Sequence, residues 1–446
     1  MGPSPRKKRE WIRFLAFFLI PILALTAANT LLLRSDALTH YSIREAVQSE
    51  QLDLVLVGSS IVYADFNPQI ITERSGLETY NLTIGHMSLQ GALAITRLLL
   101  QEKQPKYIAL VLESDNFTKT TENIQTQMRL SPFLVTHPLI AMRYYLDLCS
   151  QDQMYLDRLC LFKSSMVRDL DDIRRNLSLW FSPDEFLSES GLLEGVMQYQ
   201  GRGFMRYTKD GRGYDALRFT PLKPDVADET PELHDFSKKK LLEYKALCER
   251  YGSELLVVIS PNFTAQVLGR SGFLDKNISL GAFCRENGIP FFDMSLARES
   301  FIPLLDSYYY DMYHLDGTGA DIFSEKFGEM IRMYIAGEPV DHLFYASSDE
   351  FLDSIDFITN TWIEQRSDEG QDVFKADCLR GRTVQPEYVF YLVGEDGSLE
   401  LLQDYSTLDE YRCPAGFLSG KTLRVYARPA GSQIALPEIF NDLSIQ

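Results

Sequence analysis

Short apolar runs alternate with helix-forming segments over residues 52–334, and this alternation is typical of a parallel sheet covered on both faces. Residues 52–57 form an almost unbroken apolar run, as expected of a buried strand. Further strands are predicted at 79–84, 107–112, 255–259 and 290–292. Helices are predicted at 68–75, 89–101, 236–251, about 280–287 and 318–334. The sequence therefore predicts a doubly wound, flavodoxin-like α/β domain over residues 50–340, with ligands at the carboxyl ends of its strands.

The alternation stops between residues 118 and 232. Helical stretches such as 166–179 replace it, followed by a loop at 201–213 that is rich in glycine and arginine. We interpret this region as a helical insertion in the α/β domain, and a lid is one role that it would serve.

The amino terminus differs in charge from the rest of the chain. The formal charge of the whole chain is −18, but basic residues leave the first thirteen residues at +4, so the remainder carries −22. A surface that binds nucleic acid needs the opposite sign, which argues against nucleic acid as a partner.

A long apolar segment, residues 11–33, follows the basic cluster. About 20 apolar residues cross the hydrocarbon core of a bilayer, so residues 1–35 are predicted to form a basic cytoplasmic tail and a single transmembrane anchor. Positive charge before the segment predicts a cytoplasmic amino terminus and an extracytoplasmic body. The alternative is a cleaved signal peptide, because small residues follow the apolar core at Ala24–Ala28.

Six cysteines are too few for a disulfide scaffold in an exported chain of this length. Cys378 and Cys413 lie in the same carboxy-terminal segment and are the most plausible bridge, while Cys149 and Cys160 flank a short helical stretch. The remaining two, Cys248 and Cys284, fall on apolar helix faces and are interpreted as buried thiols. No cysteine or histidine spacing resembles a zinc site, and no cofactor is predicted.

Reactive side chains are predicted at the ends of successive strands. Ser60 follows the first strand and Gly85 the second, while Asn116 lies just beyond the third. In the motif Asp311-Met-Tyr-His314, a carboxylate stands one helical turn before an imidazole and just ahead of the last helix. Because the carboxyl ends of parallel strands meet at one edge of a sheet, these loops are expected to converge there.

Each of these residues also has a purely structural interpretation. Ser59 and Ser60 would suit the start of a helix, where serine commonly caps. Asp311 and His314 would suit a packing pair beside three tyrosines. His86 lies next to Gly85 and would line the site, but a position in a surface loop is favoured for it. Asp316, before Gly317 and Thr318, is predicted to cap the last helix.

The motifs together resemble the SGNH, or GDSL-like, hydrolase superfamily. The resemblance covers about 52–334 and is carried by Leu56-Val57-Gly58-Ser59-Ser60, by Tyr80-Asn81-Leu82-Thr83-Ile84-Gly85 and by Asp311-Met-Tyr-His314. It is strongest for the membrane-anchored branch, which contains the DltD-like proteins of teichoic acid D-alanylation and the alginate O-acetylation proteins.

This resemblance implies a Ser-His-Asp triad in which Ser60 is the nucleophile, His314 the general base and Asp311 the group that orients the imidazole. The backbone N–H groups of Ser60 and Gly85 would stabilise the oxyanion, with Asn116 as a further donor. Glu113-Ser114-Asp115-Asn116 replaces the Gly-x-Asn-Asp pattern of hydrolytic members, and this departure favours the transferase-like branch.

The expected function is acyl transfer to, or ester hydrolysis on, a cell-envelope polysaccharide or teichoic-acid-like polymer through an acyl-serine intermediate. For transfer, the resemblance implies a multi-pass membrane O-acyltransferase as partner. The alternative is a non-catalytic envelope assembly or polysaccharide-binding protein that retains the fold.

The carboxy-terminal segment, 346–446, is predicted to be a β-rich accessory module that resembles a small β-sandwich of the immunoglobulin-like kind. Strands are predicted at 388–393, 399–403 and 422–427, with a hairpin turn at 394–397 between the first two. The module is expected to pack or to contact protein, because its sequence shows no obvious aromatic platform for sugars.

Overall fold

The computed structural model describes residues 36–113, 137–149, 170–182, 192–208, 221–224, 233–270, 272–303, 306–437 and 439–445, with isolated positions at 13, 17, 20, 24, 126, 129, 130 and 133. The chain divides into two compact units. The first consists of Met1–Tyr63, Leu77–Met205 and His234–Leu256, and the second of Ala64–Gly76, Arg206–Leu233 and Val257–Gln446.

Helices and strands alternate through the α/β part, and strands alone follow it. The described helices are α1 (Ala37–Gln48), α2 (Ser60–Asp65), α3 (Pro68–Ser75), α4 (Leu89–Glu102), α5 (Pro138–Cys149), α6 (Leu170–Phe181), α7 (Asp235–Arg250), α8 (Thr264–Gly269), α9 (Phe273–Glu286), α10 (Gly317–Ile335) and α11 (Ser348–Ser354). The described strands are β1 (Leu54–Gly58), β2 (Thr79–Thr83), β3 (Tyr107–Leu112), β4 (Met197–Gly201), β5 (Phe204–Tyr207), β6 (Glu254–Ile259), β7 (Phe291–Asp293), β8 (Ile358–Asp368), β9 (Gln371–Arg380), β10 (Pro386–Val393), β11 (Leu399–Ser406), β12 (Glu410–Pro414), β13 (Thr422–Pro429) and β14 (Phe440–Ser444).

Strand β1 is the centre of the sheet in the first unit. It pairs in parallel with β2 on one side and with β3 on the other, and Val57 lies opposite both Leu82 and Leu110. All five residues of β1 are buried, which explains why the sequence there is apolar without alternation. The N–H of Glu254 donates to the carbonyl of Lys106, so β6 begins beside the strand β3.

In the second unit, β6 continues as the parallel partner of β7, with Ile259 opposite Asp293. The sheet has the strand order β2-β1-β3-β6-β7. The predicted α/β fold with a parallel sheet is confirmed, and each strand predicted in this part is present close to its expected bounds.

Helix α10 packs tightly against α3 within the second unit. A Cβ at Gly328 would lie 2.7 Å from the Cβ of Arg74, so only glycine allows this approach. Phe66, Phe323 and Phe327 form a buried aromatic cluster beside the contact. At the start of α10, the Asp316 carboxylate accepts from the N–H of Gly319 at 2.8 Å, which confirms Asp316 as the cap and fixes where the preceding turn ends.

The carboxy-terminal strands form two antiparallel sheets with one shared core. The larger sheet has the order β11-β10-β13-β14 and the smaller β12-β9-β8. Phe374 of β9, Phe390 of β10 and Val425 of β13 are fully buried in the same cluster, as in a β-sandwich. Four strands were not predicted, among them β8, whose second half is exposed and polar and therefore lacks an apolar alternation.

The predicted Cys378–Cys413 disulfide is wrong. Both thiols are buried and free. Cys413 lies opposite Asp372 of β9, whereas Cys378 lies six residues further along that strand, about 20 Å at 3.3 Å per residue. A disulfide needs Cα atoms within about 7 Å, so the register forbids this bridge. Cys248 and Cys284 are buried and free as predicted, and Cys160 lies outside the described residues.

The predicted glycine- and arginine-rich loop begins as a hairpin instead. Strands β4 and β5 form a two-stranded sheet, and Gly201, Arg202 and Gly203 between them all have positive φ, at 88°, 53° and 77°. These residues therefore make the tight turn of a hairpin, and 209–213 lie outside the described residues.

The predicted anchor, 11–33, lies outside the described residues except for four isolated positions. In the part of the chain that is described, no helix has both the length and the apolar composition that a membrane crossing requires.

Candidate active site

Ser59 and Ser60 stand at the carboxyl end of β1 and differ in their surroundings. The Ser59 side chain is buried, and its hydroxyl donates to the carboxylate of Glu113 at the end of β3. Ser60 is partly exposed and is the first residue of α2. A Cβ at Gly58 would collide with Val62, so glycine is required where the chain turns from strand into helix. The Ser59 hydroxyl is therefore bonded to the residue that follows the neighbouring strand, and Ser60 is the partly exposed serine at the edge of the sheet.

Gly85 lies close to the same edge within the first unit. The N–H of Ile84 donates to the Gly58 carbonyl at 3.3 Å, which joins the ends of β2 and β1. Arg129 donates from Nη1 to the Gly85 carbonyl at 2.9 Å, and a Cβ on residue 85 would collide with that guanidinium. A side chain at residue 85 would therefore have to displace the Arg129 guanidinium, which bonds to the carbonyl of the peptide that follows.

Two other residues predicted for this edge have different outcomes. Asn116, the further oxyanion donor, lies outside the described residues. His86 is exposed, with φ of 58°, and its carbonyl accepts from the Thr126 hydroxyl, so it occupies the surface loop expected of it.

The second unit contains the Asp311 turn, defined as residues 311–314. The Asp311 carboxylate accepts from the backbone N–H groups of Tyr313 and His314 at 2.7 and 2.8 Å. The same carboxylate lies 2.9 Å from Nδ1 of His314 through its second oxygen. Burial by itself would raise the pKa of Asp311, but the hydrogen bonds and the charge of His314, together with the two amides, hold the pKa below its usual value. Asp311 is therefore an ionised carboxylate that fixes the position of the imidazole ring.

Asp65, at the end of α2, is a second carboxyl group beside this turn. It is fully buried, and its Oδ1 accepts from the N–H of Leu315, the residue after His314, at 2.8 Å. Its Oδ2 accepts from the Ser260 hydroxyl at 3.3 Å. Burial raises the pKa of Asp65 to about 7, although His314 and these hydrogen bonds act to lower it. Asp65 therefore anchors the backbone of the Asp311 turn and titrates near neutral pH.

Aromatic rings cover one side of the histidine. Tyr207 stacks on Tyr310 with 4.0 Å between ring centroids, and its ring lies 6.1 Å from that of His314. Gln266 donates from Nε2 to the carbonyl of Met312 at 2.6 Å and so supports the turn from another side. The imidazole is half-enclosed, which limits the orientations that the ring can adopt.

Sequence reasoning missed Asp65, Glu113 and Tyr207. The sequence could have indicated Asp65, because an aspartate at the end of an otherwise apolar helix needs hydrogen-bond donors from elsewhere in the chain. Glu113 follows a strand of apolar residues, so its carboxylate could have been recognised in the same way. Tyr207 had no such indication, since the strand that carries it was assigned to a loop.

Within the described ranges, no group of three or more histidine, cysteine and acidic side chains is arranged to hold a metal ion.

Comparisons with known proteins give little further information. No protein-family model matches the chain, and no curated protein matches it. One solved structure to which it is similar is a two-domain esterase active on acetylated mannans, co-crystallised with mannopentaose. The two are 10% identical, the match covers 91% of this chain and 94% of that chain, and the TM-score is 0.27. A TM-score this low carries no argument about fold or activity, so the functional assignment depends on the residues themselves.

Proposed function

We propose that this protein is an SGNH-type serine acyltransferase or acylesterase that acts on a cell-envelope polymer. The observation that carries the proposal is the Asp311 turn, in which an ionised carboxylate accepts two backbone amides and holds Nδ1 of His314. If Asp311 and His314 were only a packing pair, the carboxylate would not need to bind Nδ1 of the ring. A general base needs this contact, because it fixes the orientation of the imidazole. The strand order also agrees with the 2-1-3-4-5 order of flavodoxin-like doubly wound sheets, to which the SGNH fold belongs.

We propose Ser60 as the nucleophile that His314 serves. The likeness of Leu56-Val57-Gly58-Ser59-Ser60 to the first SGNH block supports this pairing, and Ser60 is the partly exposed serine that follows β1. Gly85 would supply an oxyanion N–H together with Ser60, and Asn116 a further donor.

In the proposed reaction, Nε2 of His314 takes the proton of the Ser60 hydroxyl while Oγ bonds to the acyl carbon of the donor. His314 then returns this proton to the departing alkoxide, which leaves an acyl-serine ester. In the second half, a hydroxyl of the polymer or a water molecule gives its proton to His314 and attacks the ester, and Ser60 recovers the proton. Asp311 stabilises the imidazolium in both halves. Transfer and hydrolysis differ only in which hydroxyl enters second.

The experiment is covalent labelling with a serine-directed fluorophosphonate, followed by peptide mass spectrometry. We expect labelling at Ser60 in the wild type, loss of labelling in Ser60→Ala and a large decrease in His314→Ala. Ser59→Ala is the matched control, since the Ser59 hydroxyl is held by Glu113 and should not react. Absence of labelling in folded wild-type protein would reject the enzyme and favour the non-catalytic binding protein.

We also propose that residues 11–33 anchor the protein in the membrane with the active domain outside the cytoplasm, and that transfer involves a multi-pass membrane O-acyltransferase. The apolar run after a basic cluster supports the anchor. Extraction of the full-length protein from membranes at alkaline pH would contradict it.

A further inference from the structure

A cavity of about 490 Å³ lies in the second unit, and neither Asp311 nor His314 is among the residues that line it. It is bounded by the segments that follow β6 and β7, by the turn at Asp306–Tyr308 and by residues 345–357. A volume of this size is within the range of small-molecule sites. No role in the proposed acyl transfer is assigned to the residues that line it.

Aromatic rings provide much of the lining. Tyr345, Phe351 and Phe357 belong to one short segment, and Tyr345 and Phe351 meet edge to face with 5.7 Å between ring centroids. Phe357 is 39% exposed, so part of its ring is open to solvent. Aromatic faces are electron-rich and attract the electron-poor C–H groups that a sugar ring presents on its flat side.

Hydroxyl and amide groups lie among these rings. Asn262 and Ser307 are examples, and each can donate and accept hydrogen bonds. Such a mixture suits a ligand that is covered with hydroxyl groups and has apolar faces between them. It suits a fatty chain poorly, because the polar groups would lose water without gaining partners.

The charge of the lining excludes anions. Its acidic members are Glu299, Asp306 and Asp356, and no lysine or arginine is among the described residues that line it. Asp306 is structural, since its oxygens accept from the Thr264 N–H at 2.9 Å and from the Thr359 hydroxyl at 2.8 Å. Arg298, which covers the Tyr345 ring, is neutralised by Glu350 at 2.7 Å. A polymer with phosphate or carboxylate groups would be repelled here.

We propose that this cavity binds a segment of an uncharged glycan. If the protein acylates or deacylates this glycan, which rests on the function proposed above, the natural polymer is a neutral polysaccharide and not a teichoic acid or a uronic acid polymer. The binding itself does not depend on Ser60, so the two proposals can fail separately.

The test is saturation-transfer NMR on the full-length protein in detergent micelles. The probes are β-1,4-linked pentasaccharides of glucose, mannose, xylose and N-acetylglucosamine, with trigalacturonate as the anionic probe and choline as the cationic one. We expect at least one neutral probe to bind with Kd of about 1 mM or tighter. The double variant Tyr345→Ala/Phe357→Ala should weaken this binding at least about tenfold. Ser60→Ala should bind as the wild type does.

Phe417→Ala is the matched control, because Phe417 is 57% exposed on the carboxy-terminal sandwich and does not line the cavity. Its affinity should equal that of the wild type. Failure of all four neutral probes to bind, equal binding by the double variant, or binding of trigalacturonate or choline in their place would overturn the proposal. If Ser60 is not labelled by fluorophosphonate but the glycan still binds, the enzyme is rejected and the glycan site stands.

Discussion

Two regions of the second unit hold a carboxyl group next to the same histidine, the Asp311 turn and the buried end of α2 at Asp65. Asp311 is 38% exposed and accepts two backbone amides and an imidazole, and its pKa lies below the usual value. Asp65 is fully buried and accepts one amide and one longer hydroxyl contact, and burial raises its pKa to about 7. Burial and the number of donors together therefore decide whether a carboxyl group near this histidine is ionised.

The difference gives the two groups separate tasks. In the reaction proposed above, an ionised Asp311 stabilises positive charge on His314 while the proton is being transferred. Asp65 holds the backbone in place and adds a charge only as the pH approaches neutrality. Substitutions that keep the shape of each carboxyl group but remove its charge will separate these tasks.

The largest effect is expected for Asp311→Asn. An amide cannot hold the ring in the tautomer that accepts a proton at Nε2, so the rate of fluorophosphonate labelling at Ser60 should fall by about ten-thousand-fold, the decrease that the same change causes in Ser-His-Asp proteases. The control is Asp396→Asn, an exposed carboxylate that also accepts a backbone amide and has a lowered pKa. A decrease of less than about tenfold would mean that Asp311 does not orient the base.

The next effect concerns stability in Asp65→Asn. The folded-state pKa of Asp65 exceeds the unfolded value, so folded protein keeps a proton that the unfolded chain has released. This contribution to stability is complete below about pH 4 and is lost as the pH rises through about 7, with a slope of up to about 1.4 kcal/mol per pH unit. Asparagine cannot titrate, yet it can still accept from Leu315 and donate to Ser260.

Urea unfolding at several pH values measures this slope. Asp293 is also buried, with its pKa raised to about 6, and gives a slope of the same sign at lower pH. Asp293 contributes equally to the wild type and to Asp65→Asn, so the wild type should lose stability relative to the variant between about pH 4 and pH 7. Parallel stability curves for the two proteins over that interval would show that Asp65 is not protonated in the folded state.

The smallest effect is expected for Ser260→Ala. Loss of the hydroxyl removes one of the contacts that lower the pKa of Asp65, so the pKa should rise and the pH range over which stability is lost should extend upward. The free energy of unfolding at pH 8 should fall by about 1 kcal/mol. Ser279→Ala, an exposed serine whose hydroxyl bonds only within its own helix, serves as the control. Equal changes in both variants would indicate a general effect of losing a helix or loop hydroxyl.

Much of the α/β part was predictable because its strands and helices obey simple periodicity. β3 is an apolar run ended by a glutamate, and its predicted bounds agree with the structure. Asp311 and His314 were found because both partners of the pair lie within four residues of sequence. Local patterns of this kind need no knowledge of tertiary contacts.

Contacts between distant residues were not predictable from the sequence. Asp65 is 250 positions from Leu315, and Ser59 is 54 positions from Glu113, so no local pattern shows either pair. The Cys378–Cys413 prediction failed for the same reason, since closeness in sequence says nothing about strand register. β4 and β5 were missed because three residues with positive φ make a turn that composition alone suggests is a loop.

The short helix α2 has a consequence for how this chain tolerates length changes. It joins Ser60 to Asp65 in six residues, and each helical residue turns the chain by about 100°. One inserted or deleted residue would leave both ends intact but rotate Ser60 to another side of the helix. The length of the helix thus determines the direction in which the proposed nucleophile faces, and lineages of this protein should accept substitutions within α2 far more readily than insertions or deletions.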